Sequence, residues 1–148
     1  LEEAPAFGEP TDHTNCRWPS YTSWARFCKE VGITNLVMNE RNGGSDCYEF
    51  EKDKFLYPLI QNHPGCSVIT EHHYRLIKEK IDAYRALHPT HIAQYPPRKD
   101  GKPTTVMDMP EDLLDDPKYD GFLCRAEWLL FWLRWALDNC EKPVFVNS

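Results

Sequence analysis

Glycine is scarce in this chain, seven in 148 residues, and none of the seven falls in a phosphate-binding pattern. Neither Gly-x4-Gly-Lys-Ser/Thr nor Gly-x-Gly-x-x-Gly occurs, so no backbone cradle of N–H groups awaits a nucleotide. Gly-x-Ser-x-Gly is missing too. Gly43-Gly44-Ser45-Asp46 puts glycines beside a serine, but without the strand–turn–helix setting of a nucleophile elbow. His-Glu-x-x-His is absent, and Glu71-His72-His73 sets its imidazoles side by side rather than one turn apart. There is no Asn-x-Ser/Thr acceptor, no internal repeat and no long low-complexity tract. Basic residues are outnumbered, 17 against 23 acids, for a net charge of −6. That balance disfavours nucleic acid as a direct ligand, because such binding is driven by neutralising phosphates with Lys and Arg.

Long hydrophobic runs are nearly absent as well. Residues 121–137 come closest to a membrane span, but they are short for one and contain Arg125, Glu127 and Arg134. Each charge at mid-bilayer costs about 2.5–3.5 kcal/mol, so the expectation is no membrane insertion. No basic-then-apolar leader opens the chain, although a start at Leu1 also fits a processed product. The six cysteines fall below the density of a disulfide scaffold. Cys28 lies on an apolar helical stripe. Cys124 and Cys140 stand at opposite ends of one predicted helix, roughly 24 Å apart at helical rise and too distant to bridge. A reduced, cytoplasmic protein is the expectation, with a secreted, disulfide-stabilised ligand-binding protein as the alternative.

What is present is aromatic and helical. Residues 121–140 carry three tryptophans and two phenylalanines in an almost continuous apolar run. On a helix, Glu127, Arg134 and Asp138 fall within a strip about 40° wide, and nearly every other direction is apolar. Such a helix must be enclosed by its own domain or by a second subunit, so a homodimer is one way to bury it. Upstream, Trp24, Phe27, Cys28 and Val31 follow i, i+3, i+4, i+7 spacing, with Ser20 as N-cap and Gly32 as a stop. Thr70 caps a helix over residues 71–88, whose face carries Tyr74, Ile77, Ile81, Tyr84 and His88; Pro89 ends it. Residues 33–49 are ambiguous, Phe50 to Gln61 fits either a short helix or an extended segment, and Val144-Phe145-Val146 reads as a short strand. From His88 to Asp108 no helical period appears, and a connection of that length is often functional. Pro110 opens a short acidic helix. The expected fold is mostly α: a compact single-domain helical protein around a buried Trp-rich C-terminal helix, with long loops and a minor β component. Residues 1–19 form an irregular arm and residues 20–148 the helical domain.

Charge is concentrated in one place. Residues 108–120 hold acids at Asp108, Glu111, Asp112, Asp115, Asp116 and Asp120 against the single base Lys118, which accounts for −5 of the net −6. A field of one sign speeds encounter with an opposite partner, so this segment is the expected docking surface for a basic protein. The order of acids lacks the alternation and terminal bidentate Glu of an EF-hand loop. A second constellation, His63, Cys66 and His73, with Cys47 as a fourth donor, has the nitrogen and sulfur mixture that zinc favours, although neither half matches a standard zinc module. His88 and His91 sit at a helix C-terminus, where an imidazole is favoured by the dipole. On the C-terminal helix, Arg134 is placed to bridge Glu127 and Asp138 in a buried polar strip that fixes the helix orientation. The functional expectation is a small soluble acidic binding or regulatory protein without catalysis, acting on a basic partner in the manner of an inhibitor. The alternatives are a metal-dependent hydrolase or metal-stabilised module using the His/Cys cluster, and the secreted ligand-binding protein.

Overall fold

The computed structural model describes residues 21–38, 47–61, 65–92, 118 and 120–147. Helix α1 (Tyr21–Val31) presents Phe27, Cys28 and Val31 to the core, as the apolar spacing requires. It ends in a Schellman motif: Gly32 N–H reaches Lys29 O at 3.2 Å and Ile33 N–H reaches Cys28 O at 2.8 Å. Gly32 adopts φ 82°, the left-handed conformation that closes this motif. A single turn, α2 (Thr34–Val37), follows and buries Leu36 and Val37.

Two strands then form a hairpin, β1 (Tyr48–Glu51) with β2 (Lys54–Leu56). Tyr-Glu-Phe-Glu alternates between half-buried and exposed positions, the period-2 signature of a strand with one covered face. The turn passes through Asp53 at φ 61°, where its N–H donates to Glu49 Oε1 at 3.2 Å. Strand β3 (Gly65–Val68) pairs antiparallel with β4 (Val144–Asn147), joining the middle of the chain to its C-terminal part.

Helix α3 (Glu71–Leu87) begins at Thr70 in a capping box whose reciprocal partner is His73 instead of the usual Glu or Gln. Helix α4 (Gly121–Asn139) is capped by Asp120. The core gathers Phe27 and Cys28 of α1, Ile33, Leu36 and Val37 around α2, Leu76, Ile77 and Ile81 of α3, and Ala126, Leu129, Leu133 and Ala136 of α4. Burial pushes the Cys28 thiol up to about 12, in keeping with a small inert hydrophobe. Glu71 near the start of α3 meets Arg134 late in α4, and Arg85 late in α3 meets Glu127 early in α4, so these two helices run antiparallel.

The expectation of a mostly α fold with a minor β component is corrected. The described residues are about 55% helical and 20% strand, with two separate sheets, so the fold is mixed. Val144-Phe145-Val146 is a strand as read from the sequence, whereas β3 was missed because it has only four residues and is extended by a partner about 80 residues away. Phe50 to Gln61 is the extended alternative. Among the described residues, no helix is long and apolar enough to cross a membrane. The N-terminal arm 1–19, the Ser20 cap and the acidic helix opened by Pro110 lie outside the described residues.

Candidate functional site

The acid-rich segment and the end of α3 meet at one buried carboxylate. After α3, His88 N–H bonds Arg85 O and His91 N–H bonds His88 O, so the chain turns tightly past Pro89. That turn stacks the His88 and His91 rings at 4.5 Å and 19°, and the Tyr84 ring lies 4.5 Å from His88. The next residue, Ile92, donates to Lys118 O at 2.7 Å, and its carbonyl accepts from Asp120 N at 2.8 Å. The two ends of the intervening segment are thus tied by backbone hydrogen bonds.

Asp120 completes the clasp. Its side chain accepts four hydrogen bonds, from Phe122 N (2.9 Å) and Leu123 N (3.3 Å) at Oδ1, and from Tyr84 Oη (2.7 Å) and His91 Nδ1 (2.8 Å) at Oδ2. The residue is 6% exposed. Burial pushes the carboxyl upward, but hydrogen bonds from His91, Tyr84 and the two backbone groups outweigh it and hold Asp120 below the ordinary aspartate range. Burial, and then the adjacent carboxylate, push the Tyr84 phenol upward. An ionised Asp120 only accepts, so His91 Nδ1 carries a proton and donates it to Oδ2. A carboxylate-oriented imidazole of this kind can act as a base, yet His91 Nε2 meets no described hydroxyl or thiol. Asp120 had been grouped with the exposed acids; it is instead a buried N-cap and clasp, withdrawn from any partner. Asp108, Glu111, Asp112, Asp115 and Asp116 lie outside the described residues.

The His/Cys constellation does not assemble among the described residues. His73 is 2% exposed and both its ring nitrogens are engaged. Nδ1 accepts from Thr70 N at 3.1 Å and lies 2.9 Å from Thr70 Oγ1, so the proton sits on Nε2, which donates to the Tyr57 carbonyl at 2.7 Å. Burial first, and neighbouring His72 in addition, lower its affinity for a second proton, while the Tyr57 carbonyl pulls the other way. An imidazole with both nitrogens so committed has no lone pair for zinc. Cys66 is exposed on β3 with a free thiol, Cys47 is exposed, and His63 lies outside the described residues. No group of three His, Cys, Asp or Glu among the described residues is arranged to hold a metal ion.

The polar strip on α4 is real but differently wired. Arg134 binds Asp138 as expected, at 2.8 Å, but its second carboxylate is Glu71 of α3, engaged by both terminal nitrogens at 2.9 and 2.7 Å. Its guanidinium also lies 4.9 Å from the Tyr74 ring centre. Glu127 pairs with Arg85 at 3.1 Å. The strip is partly exposed, with side-chain accessibilities of 23% for Glu127, 33% for Arg134 and 57% for Asp138, so it is a helix–helix seam at the surface rather than a buried triad. The sequence had offered one sign of the clasp: Asp immediately before an apolar helical run is an N-cap signal. No family model, curated protein or solved structure matches the chain.

Proposed function

We propose that the protein is a non-catalytic acidic binding protein that presents the segment between Ile92 and Asp120 to a basic protein partner. The supporting observation is the clasp. The backbone bonds between Ile92 and residues 118 and 120, reinforced by the Tyr84–Asp120–His91 hydrogen bonds, anchor both ends of the acid-bearing segment to the core. Joining the ends of a segment lowers the conformational entropy it has to lose on binding. Asp108, Glu111, Asp112, Asp115 and Asp116 all lie between the anchors and supply the field that would steer a basic surface toward the segment.

The test uses a partner captured from the native host and then purified. Asp112→Asn, Asp115→Asn and Asp116→Asn together should weaken its binding about tenfold at low salt, if each exposed ion pair contributes about 0.5 kcal/mol. The difference should shrink as salt rises. Tyr84→Phe, which leaves the segment's charge intact, should also weaken binding by loosening the anchor. A triple variant that binds as tightly as wild type at every salt concentration refutes the proposal.

A further inference from the structure

The two small sheets treat their open edges differently. The β1–β2 hairpin carries Glu49, Glu51 and Lys54, and its register shifts between Glu49 and Glu51. Charges and a local irregularity are the usual protection of an open strand against pairing with another chain. The β3–β4 sheet has neither. Gly-Cys-Ser-Val and Val-Phe-Val-Asn hold no charge and no proline, and their register is regular from Gly65↔Asn147 to Val68↔Val144. Beyond it, Ile69 N donates to the opposite Pro143 O at 3.0 Å, which makes that position a hydrogen-bonded pair. Bonded and non-bonded pairs alternate along an antiparallel ladder, so Ser67 and Phe145 bond each other while the N–H and C=O groups of Val144 and Val146 point away from β3. Among the described residues no third strand joins this sheet, and those outward groups make no backbone hydrogen bond. The side chains follow the same alternation. Ser67 is buried and Phe145 packs against the core, whereas Val68 and Val146, on the other face, are each 64% exposed.

We infer that the outer edge of β4 pairs antiparallel with β4 of a second copy of this chain, joining the two sheets into one. A row of outward N–H and C=O groups is met by another extended strand. β4 is its own complement. A two-fold axis at Phe145 sets Val144 against Val146 of the second copy, and Val146 against Val144. These are the residues whose backbone groups face outward, so each opposed pair exchanges both hydrogen bonds. The same register puts Phe145 opposite its own copy at a non-bonded position, where side chains approach closest. Val, Phe and Val are strong strand formers, whereas β3 brings Gly65, Cys66 and Ser67 to its own edge, which is why pairing falls to β4. The strands are short, so the contact is small and the dimer is weak and concentration-dependent. It uses no residue of the acid-bearing segment and does not rest on the reading of that segment.

The experiment follows self-association of the full chain by sedimentation equilibrium from micromolar to millimolar concentration, with thiols kept reduced so that Cys66 cannot cross-link copies. A monomer–dimer equilibrium is expected. In nitrogen-15 spectra, the amide signals of Val144 and Val146 should shift as concentration rises, while those of Cys66 and Val68 stay fixed. Val146→Lys should raise the dissociation constant about tenfold, because two-fold symmetry disrupts each cross-strand pair twice. Val68→Lys places the same charge at an equally exposed position on the opposite strand and should leave the constant within about twofold. A chain that stays monomeric at every concentration, shifts at Cys66 and Val68 in place of Val144 and Val146, a Val146→Lys variant that dimerises like wild type, or equal losses in both variants overturn the inference. The wild-type amide shifts decide the matter if Val146→Lys does not fold.

Discussion

Replacing Asp120 with alanine removes the N-cap of α4 and both side-chain bonds of the clasp in one step. Loss of an Asp cap costs about 1 kcal/mol. The bonds from Tyr84 and His91 to an ionised, 6%-exposed carboxylate are each worth about 1.5–3 kcal/mol, offset in part where those half-buried donors regain water. The expected loss is about 3–4 kcal/mol, and for a chain of 148 residues that corresponds to a fall in Tm of roughly 10 °C. Asp120→Asn should lose less, about 1–2 kcal/mol. Its amide oxygen still caps the helix, the Tyr84 hydroxyl can rotate to accept, and His91 can move its proton to Nε2. Urea denaturation of both variants, with hydrogen exchange at the Ile92 and Asp120 amides, is the assay: exchange at both amides should quicken in the alanine variant. The folded carboxyl binds protons less readily than its unfolded counterpart, so its contribution is present above pH near 3.8 and is lost as pH falls through the lower folded value. The asparagine variant should lack that portion of the acid transition. Asp120→Ala within about 1 kcal/mol of wild type, or unchanged amide exchange, would show that the clasp is incidental to the fold.

His73 gives a second pH signature. Its folded affinity for a proton is lowered, so stability should be full above the unfolded value near 6.5 and decline as pH falls toward the lower folded one; His73→Gln should flatten that decline in denaturation curves between pH 7 and 5. Gly32→Ala should cost about 1–2 kcal/mol from the left-handed backbone alone, because an added Cβ there meets nothing within 4 Å, and thermal melting reads the difference. Leu129→Ala empties a fully enclosed site between α4 and the core and should cost about 2–5 kcal/mol by urea denaturation. Arg134→Lys should lower Tm and weaken its salt dependence, since an ammonium cannot hold both oxygens of Glu71 together with Asp138.

The residues that local chemistry governs were legible before any coordinates. Apolar spacing at Trp24, Phe27, Cys28 and Val31 and the glycine after them fix α1 and its end, because the helical period and the left-handed cap are properties of a few neighbouring residues. Thr70 before residues 71–87 and the long apolar run from Gly121 define α3 and α4 on the same grounds. What tertiary structure alone decided is every partnership across distance. β3, too short to announce itself, pairs with β4 across about 80 residues of chain. Arg134 turns from Glu127 to Glu71 because antiparallel packing brings the start of α3 within reach of a long, forked side chain. Asp120 is marked in sequence only as a cap before the apolar run; its place beside Tyr84 and His91, where desolvation makes hydrogen bonding obligatory, came from the fold. Local conformation is set by short-range sterics and periodicity; which charged group becomes surface and which becomes fastening is set by what the folded chain places around it.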